Sequence, residues 1–271
     1  MSIEALIFDV DGTLADTEEA HRRAFNSAFE RCGLGWCWSR AEYRALLGVT
    51  GGKERLAHHI RATTPPAGQR ALLDRIPALH AEKTHAYTAI AAAGGIALRP
   101  GIARLLDEAE AAGLRLAIAS TTTAANIDAL LRATLGDDGV ERFDVIACGD
   151  QVRAKKPAPD IYALALQSLG VPPEHAIAIE DSANGLRSAT AAGLWTLVTP
   201  TFWTEGADFG AAGLRLPHLG DPGEPVPGEP GSALADAAWL TLDELLRVAS
   251  PVPARGARPP RAMPAASGAA R

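Results

Sequence analysis

Five short apolar runs, each followed by polar or charged residues, constrain the fold of this chain more than any other feature. The first run comes at the N-terminus, and the other four alternate with helical segments after residue 100. Strands that are apolar on both faces are typical of a parallel sheet covered by helices on each side. The pattern therefore predicts an α/β fold with a Rossmann-like parallel sheet. The predicted strands span 3–10, 114–120, 143–148, 176–180 and 194–198.

A long helical segment interrupts this alternation directly after the first strand. Apolar residues recur there at helical spacing, as in Ala20, Ala24 and Phe25, and no strand pattern occurs. Glycine and proline pairs separate the helices. We therefore predict a discontinuous core with an all-helical cap inserted into it. The core comprises residues 1–14 and 94–249, and the cap comprises residues 15–93.

The C-terminal part of the chain has a different composition. Residues 217–232 are rich in proline and glycine and predict a loop, and 234–249 predict a strand fragment followed by a helix. Residues 251–271 contain four arginines and no acidic residue, and they lack the apolar residues needed to form a core. We predict a disordered tail there, with a nucleic-acid-binding arm as the alternative.

Composition excludes several classes of protein. The 271 residues are 47% hydrophobic, which excludes wholesale disorder, and the net charge of −6 argues against a nucleic-acid-binding surface. No apolar run has the length of a membrane helix, and the N-terminus does not resemble a signal peptide. Three cysteines make a disulfide framework improbable and fit no zinc pattern. We expect a cytoplasmic monomer that binds neither nucleic acid nor membrane.

Polar residues follow four of the predicted strands, where the carboxyl ends of parallel strands meet at one edge of the sheet. Ligands of open α/β sheets bind at this edge. Four such clusters in register are stronger evidence for a site than one alone. They are Asp9 and Asp11, then Ser120, Thr121 and Thr122, then Lys155 and Lys156, and finally Glu180 and Asp181.

These residue types fit phosphoryl transfer. Several carboxylates cannot crowd together without a cation or protons, and hard oxygen ligands favour Mg²⁺. Mg²⁺ and Lys156 would neutralise a phosphoryl group, and the Ser120 hydroxyl would hydrogen-bond its oxygens. One carboxylate then forms an acyl phosphate, and a carboxyl two residues further on protonates the leaving oxygen and later deprotonates water.

The same residues resemble the four motifs of the haloacid dehalogenase (HAD) superfamily of phosphatases, and the helical insertion resembles its subfamily I. The resemblance implies that Asp9 is the nucleophile and Asp11 the general acid and base. It implies Mg²⁺ on Asp9, the Asp11 backbone carbonyl and Asp181, with Glu180 supporting the site. Ser120, Thr121 and Lys156 would bind the phosphoryl group. The matching motifs are Asp9-x-Asp11-Gly12-Thr13, Ser120, Lys156-Pro157 and Glu180-Asp181-Ser182.

A closer resemblance rests on further segments, among them Tyr43-Arg44, Thr50-Gly51-Gly52-Lys53-Glu54-Arg55 and Leu98-Arg99-Pro100-Gly101. These segments are similar to those of the CbbY branch, phosphatases associated with the Calvin cycle. The branch converts xylulose 1,5-bisphosphate to xylulose 5-phosphate. The resemblance implies that the cap holds the distal end of the sugar bisphosphate, while Gly51 and Gly52 permit close backbone approach. The residues implied in substrate binding are Glu18, Tyr43, Gly51, Gly52, Lys53, Arg55, Thr122 and Lys155.

Structural interpretations compete at several of these positions. Glu180-Asp181 and Ser120 are each placed to cap a following helix. His21 is placed to contact substrate or Asp11, and the Trp36 and Trp38 side chains are interpreted as core or cap surface. The remaining cap histidines are predicted on solvated helix faces: His58, His59, His80 and His85.

Competing functions also stay open. A β-phosphoglucomutase-like phosphomutase shares the fold and nucleophile, and Thr13 and Gly51 favour hydrolysis over it. Other small phosphosugars or phosphoglycolate are alternative substrates. A non-catalytic regulatory protein is the alternative from a different class, and the complete set of catalytic groups disfavours it.

Overall fold

The computed structural model describes residues 2–226 and 238–249, and its centre is a parallel sheet. The strands are β1 (Ala5–Phe8), β2 (Arg115–Ala119), β3 (Val145–Ala147), β4 (Ala176–Glu180), β5 (Trp195–Val198) and β6 (Leu214–Arg215). Within the described residues these six strands are all parallel and lie in the order β3–β2–β1–β4–β5–β6. β1 therefore lies in the interior of the sheet, between β2 and β4.

Ten α-helices accompany the sheet in the part of the chain that the structure describes. Five of them follow β1 directly: α1 (Glu18–Arg31), α2 (Arg40–Leu46), α3 (Gly52–Thr63), α4 (Pro66–Leu73) and α5 (Ile76–Ala92). The others are α6 (Ile102–Ala111), α7 (Ala124–Leu135), α8 (Asp160–Leu169), α9 (Ala183–Ala191) and α10 (Leu242–Ala249). None of these ten described helices is long and apolar enough to cross a membrane.

Both faces of the sheet are buried, as the apolar runs predict. Leu6 and Phe8 of β1 contribute to one core layer, and Ala5 and Ile7 contribute to the other, because side chains alternate along a strand. Helices α6, α7 and α10 pack on the first face, and α8 and α9 pack on the second. The α/β architecture with a Rossmann-like parallel sheet is confirmed.

The structure refines the predicted elements at the C-terminal end. β1 to β5 each lie within a predicted apolar run, whereas the two-residue β6 was not predicted because it is too short to carry a pattern. Among the described residues 238–241 there is no strand, so the strand fragment predicted before α10 is wrong there. The Leu240 N–H instead donates to the Leu219 carbonyl at 2.7 Å, and its carbonyl accepts from Arg104 Nη1 at 2.9 Å. Residues 227–237, which include the end of the predicted loop at 217–232 and the start of the segment predicted at 234–249, lie outside the described residues, as does the predicted tail at 251–271.

The five helices after β1 have a core of their own. α1 packs along α5, and aromatic side chains from this region form a buried cluster. We call this set the cap cluster; its buried members are Phe25, Phe29, Trp38, Tyr43, Leu56, Leu79 and Trp203. Trp38 is buried, and Trp36 packs against the cluster from a partly exposed position, in agreement with the interpretation of both as core or cap surface. The cap and core boundaries given above stay a prediction.

Arg99 lies where the chain passes from the helices back to the sheet, and its hydrogen bonds hold this region in place. Its backbone N–H donates to the Leu14 carbonyl at 2.8 Å, beside the bridge between Ala15 and Leu98. Its guanidinium donates to backbone carbonyls of four other residues, which are Gly12, Thr199, Pro200 and Pro217. One side chain thus ties the loop after β1 to the loop after β5.

Candidate active site

The strand ends converge as the sequence predicts. Asp9 follows β1, Glu180 ends β4, and Lys156 precedes α8; all three side chains are buried. The Lys156 ammonium lies 2.7 Å from Asp9 Oδ1 and 2.6 Å from Glu180 Oε1. Burial alone would lower the pKa of Lys156, but the two carboxylates raise it above its ordinary value. Lys156 is therefore a permanent positive charge at the floor of the site.

Glu180 uses both carboxylate oxygens in hydrogen bonds to the protein. Besides Lys156, Oε1 accepts from the Tyr162 hydroxyl at 2.9 Å. Oε2 accepts from the backbone N–H groups of Asp181 and Ser182 at 3.0 and 3.2 Å. A side chain at Gly185 would collide with this carboxylate. Glu180 is thus locked in place by its neighbours, and the absence of a Cβ at position 185 makes room for it.

Carboxylate oxygens of Asp9, Glu180 and Asp181 lie within 4.8 Å of one another. Burial raises the pKa of Asp9 to about 8, with Lys156 opposing the rise and Glu180 adding to it. Burial, followed by repulsion from Glu180 and Asp9, raises the pKa of Asp181 well above its ordinary value. No side chain in the described part of the chain donates a hydrogen bond to the Asp181 carboxylate. Such a concentration of buried, oxygen-rich negative charge fits a divalent cation such as Mg²⁺.

Asp11 belongs to a second network of polar side chains, which extends from the loop after β1 to helices α1 and α5. Its Oδ1 accepts from Thr17 Oγ1 at 2.6 Å and lies 2.8 Å from His21 Nε2. The other ring nitrogen of His21 lies 2.7 Å from the buried Lys83 ammonium. Burial acts to raise the pKa of Asp11, but His21 and Thr17 outweigh it and lower that pKa. Of the two contacts predicted for His21, the one with Asp11 is present.

The polar residues after β2 face the same cavity. Ser120, Thr121 and Thr122 line it together with Asp9 and Lys156. Ser120 is buried, and its hydroxyl accepts from the Thr122 N–H at 3.3 Å. This loop therefore presents hydroxyl groups beside the Asp9–Lys156 pair.

Neither capping alternative describes these strand ends. The N-cap of α7 is Thr123, three residues after Ser120, and its side chain accepts from the Asn126 N–H at 3.4 Å. The N-cap of α9 is Ser182, whose hydroxyl accepts from the Gly185 N–H at 3.0 Å. Ser120 and the Glu180-Asp181 pair therefore do not cap a helix, and they belong to the cavity and its floor.

The helices after β1 contribute charged side chains and backbone to the cavity. Glu18, Gly51, Gly52 and Arg55 line it. Tyr43 is buried behind them, where its hydroxyl donates to Glu18 Oε2 at 2.7 Å and accepts from Arg55 Nη1 at 2.9 Å. Gly51 has a φ of 95°, a left-handed conformation that favours glycine, and it immediately precedes α3. The chain turns sharply there and brings the start of α3 to the cavity.

Two predicted substrate-binding lysines point elsewhere. Lys53 Nζ pairs with Asp150 at 3.0 Å on the exposed surface. Lys155 Nζ donates to the backbone carbonyls of Gly149 and Val152. The structure brings neither lysine among the residues that line the cavity. Their roles in substrate binding stay predictions.

Two histidines differ from the prediction of solvated helix faces. His80 is buried and lines the cavity beside Gly52, where a Cβ would lie 2.5 Å from its Nε2. Burial, with smaller effects from Lys83 and Lys53, lowers the pKa of His80 to about 3, so its ring is neutral. His59 is partly buried and accepts from the Trp38 indole at 3.2 Å. The prediction is wrong for both, whereas His58 and His85 are exposed.

His80 and Lys83 are cavity residues that sequence reasoning missed. They lie three positions apart on α5 and therefore share a face of that helix. The shared spacing was a usable signal. However, alanines recur throughout α5, so its apolar pattern gives only a weak indication of which face is buried.

Comparisons with known proteins agree with this geometry. Residues 3–193 match the family model of the haloacid dehalogenase-like hydrolases. The chain is 53% identical to protein CbbY of Rhodobacter capsulatus over 219 residues, which are 81% of this chain and 95% of that protein. It is 54% identical to the plasmid-encoded CbbY of Cupriavidus necator over 242 residues, covering 88% and 95% respectively.

Solved structures give the same match. The crystal structure of CbbY from Rhodobacter sphaeroides with phosphate has a TM-score of 0.74 at 52% identity, covering 80% of this chain and 94% of that one. The TM-score, identity and coverage are the same for an Asp-to-Asn variant of that protein in complex with xylulose 1,5-bisphosphate.

Proposed function

Because the chain belongs to the haloacid dehalogenase-like hydrolases, and among them to the CbbY-like phosphatases, we propose that its substrate is a sugar bisphosphate. The specific reaction proposed is hydrolysis of xylulose 1,5-bisphosphate to xylulose 5-phosphate. The complex formed by the Rhodobacter sphaeroides relative supports this choice. One observation carries it: a single cavity is lined by the Asp9–Lys156 pair from the sheet and by Arg55 and Lys83 from the helices.

In the first half of the reaction, the Asp9 carboxylate attacks phosphorus and the bond to the sugar oxygen breaks. Lys156, 2.7 Å from Asp9, holds the attacking carboxylate and neutralises the incoming phosphoryl charge. Ser120 and Thr121 donate hydrogen bonds to the phosphoryl oxygens. Mg²⁺ held by Asp9, Asp181 and the Asp11 backbone carbonyl, with Glu180 in support, would supply further positive charge at the phosphoryl group. The product of this half is an aspartyl phosphate on Asp9.

Asp11 moves the protons in both halves. It must be protonated to give a proton to the departing sugar oxygen, and a dianionic phosphoryl group beside it favours that form. After the sugar leaves, the ionised Asp11 accepts a proton from the water that attacks the aspartyl phosphate. The contacts with Thr17 and His21 stabilise the ionised form, which suits this second step. The net reaction consumes one water and releases inorganic phosphate.

The helical side of the cavity recognises the remote phosphate. Arg55 is buried, and Tyr43 and Leu46 each bind one of its guanidinium nitrogens, which leaves further N–H groups for a ligand. A guanidinium fits phosphate in a bidentate manner. Gly51 and Gly52 allow the backbone to approach the substrate closely, and Glu18 orients Tyr43.

The test is a kinetic panel. Phosphate release is measured for xylulose 1,5-bisphosphate, ribulose 1,5-bisphosphate, fructose 1,6-bisphosphate and phosphoglycolate, with Mg²⁺ and with EDTA. We expect the highest kcat/KM for xylulose 1,5-bisphosphate and loss of turnover in EDTA that added Mg²⁺ restores.

Other results would redirect the proposal. Conversion of a hexose 1-phosphate to its 6-phosphate without net phosphate release would identify a phosphomutase. Phosphoglycolate carries only one phosphate, so a preference for it would mean that the substrate does not require a second phosphate site. Absence of turnover on every substrate would favour the non-catalytic alternative.

A further inference from the structure

A core loop contributes a side chain to the cap cluster. The loop after β5, residues 199–206, carries Trp203, which is only 4% exposed. Among the described buried members of the cap cluster, Trp203 is the one that comes from outside residues 15–93. The cap cluster therefore includes a side chain from the loop after β5 as well as those of the five helices and their connections.

Trp203 packs directly on Tyr43. The two rings meet edge to face, with centroids 5.7 Å apart and an interplanar angle of 86°. The Arg40 guanidinium lies 5.1 Å from the Trp203 ring on the outer side. Phe202, the next residue in the loop, is 47% exposed and lies 4.9 Å from the guanidinium carbons of both Arg40 and Arg44. Trp203 is thus the inner contact of this loop, and Phe202 is the outer one.

The ring that Trp203 supports holds the cavity's arginine. Tyr43 is fully buried, and its hydroxyl bonds Glu18 and Arg55 at once. The Arg55 guanidinium also lies 5.1 Å from the Tyr43 ring centroid. A shift of the Tyr43 ring therefore moves the Arg55 guanidinium.

The loop itself is well supported. Thr201 Oγ1 accepts from the Trp203 N–H at 3.1 Å, and Thr204 Oγ1 accepts from the Thr201 N–H at 3.0 Å. Arg99 holds the carbonyl groups of the two residues that begin the loop. Trp203 is therefore presented to Tyr43 from a fixed backbone rather than from a free loop.

We propose that Trp203 is a positioning residue that sets selectivity for a substrate's second phosphate, by fixing Tyr43 and through it Arg55. This inference rests on the proposed function, because it needs Arg55 to bind that phosphate. Trp203 does not line the cavity, so it acts through Tyr43 rather than by touching substrate. Its loss moves Arg55 away from the remote phosphate and leaves the Asp9–Lys156 pair in place.

The experiment compares a two-phosphate substrate with a one-phosphate substrate. Values of kcat and KM are measured for xylulose 1,5-bisphosphate and for p-nitrophenyl phosphate, and the selectivity is the ratio of the two kcat/KM values. Trp203→Leu is expected to lower this selectivity roughly tenfold through KM for the bisphosphate, because a displaced guanidinium loses charge-assisted hydrogen bonding to the remote phosphate. Trp203→Phe, which keeps a ring against Tyr43, is expected to restore most of it.

Matched controls separate positioning from general damage. Phe202→Ala removes the exposed neighbour and is expected to change the selectivity less than twofold. Arg55→Met is expected to abolish the preference for the bisphosphate, and adding Trp203→Leu to it is expected to cause no further loss. Thermal melts check that each variant is folded, and Trp203→Met replaces Trp203→Leu if the leucine variant is not.

Three results overturn the inference. These are an equal loss of kcat/KM on both substrates, an unchanged selectivity, or additive losses from Trp203→Leu and Arg55→Met. A wild-type enzyme that prefers the bisphosphate while Trp203→Leu has no effect overturns this inference alone. A wild-type enzyme without that preference overturns the proposed function, and this inference with it.

Discussion

Two buried lysines, one on each side of the cavity, are in opposite electrostatic situations. Lys156, on the sheet side, lies between Asp9 and Glu180, which raise its pKa despite its burial. Lys83, on the helical side, lies against His21, and burial lowers its pKa to about 8. Each lysine is at most 4% exposed, so the difference comes from neighbouring charge rather than from depth.

The two sides of the cavity therefore differ in their balance of acidic and basic side chains. On the sheet side, a surplus of carboxylates surrounds one lysine, which suits a metal cation. On the helical side, the helices bring two cations, Arg55 and Lys83, and one acidic residue, Glu18, to the described cavity lining, and Asp11 of the sheet side also acts on Lys83. That side is therefore prepared for an anion from outside.

Asp9→Asn is expected to have the largest effect, because it removes the nucleophile from the sheet side while changing few atoms. An amide does not form the acyl phosphate, so turnover should fall by roughly 10⁴-fold or more. The measurement is steady-state phosphate release, with circular dichroism to check folding. The control is Asp16→Asn, at an exposed aspartate nearby. Residual turnover above a few per cent would contradict the assignment of Asp9.

Lys156→Met tests whether the sheet side depends on the cation that Asp9 and Glu180 share. The change leaves Asp9 and Glu180 buried without their shared partner, and loss of one member of a buried charge network costs about 3–5 kcal/mol of unfolding free energy. Urea unfolding at pH 7 measures it. Lys53→Met, which breaks only the exposed pair with Asp150, is the control. A loss no larger than that of the control would show that the carboxylates do not need Lys156.

Lys83→Met tests the helical side through its pH dependence. The folded-state pKa of Lys83 is about 8 against an ordinary 10.5, so between these values the unfolded chain binds more protons than the folded one. Wild-type stability relative to the variant should therefore rise with pH, by about 3 kcal/mol from pH 8 to 10.5. Urea unfolding of both proteins at several pH values measures the difference. A stability difference that stays constant with pH would mean that Lys83 is already compensated like Lys156.

Lys53→Met is expected to have the smallest effect. The Lys53–Asp150 pair is exposed, and pairs of this kind contribute at most about 1 kcal/mol. Because Lys53 does not line the cavity, we expect KM for xylulose 1,5-bisphosphate to change less than about threefold, far less than for Arg55→Met. This result would contradict the substrate-binding role that the resemblance implies for Lys53. A tenfold rise in KM would instead make Lys53 part of the anion site and would enlarge the positive surplus on the helical side.

The sheet side of the site follows from the sequence to a large extent. Asp9, Ser120 and Glu180 each come at the end of an apolar run, and parallel strands bring such ends together whatever the helices do. Lys156 lies before a proline and a helix, in the loop after β3. For these residues, chain order and strand direction were sufficient to predict the cluster.

The helical side of the site can be predicted from the sequence to a much smaller extent. Which residues of a helix face a cavity depends on the rotation of that helix, and alanine-rich α5 gives little indication of its rotation. The sequence therefore predicts a solvated His80 and does not single out Lys83. Trp203 could not be assigned to the cap cluster, because its contact with Tyr43 joins residues 160 positions apart that no local pattern links. Tertiary packing, rather than local sequence preference, determines which residues form the helical side of the site.

The place of Trp203 in the cap cluster also bears on how such a molecule diversifies. Helices α1 to α5 enter and leave the sheet region at neighbouring points, which suggests an interchangeable module. Their core nevertheless contains a side chain encoded more than a hundred residues after α5. An exchange of the helices between relatives therefore exchanges only part of that core. Substrate preference should change by paired substitutions in the helices and in the loop after β5, so the two segments are expected to be inherited together.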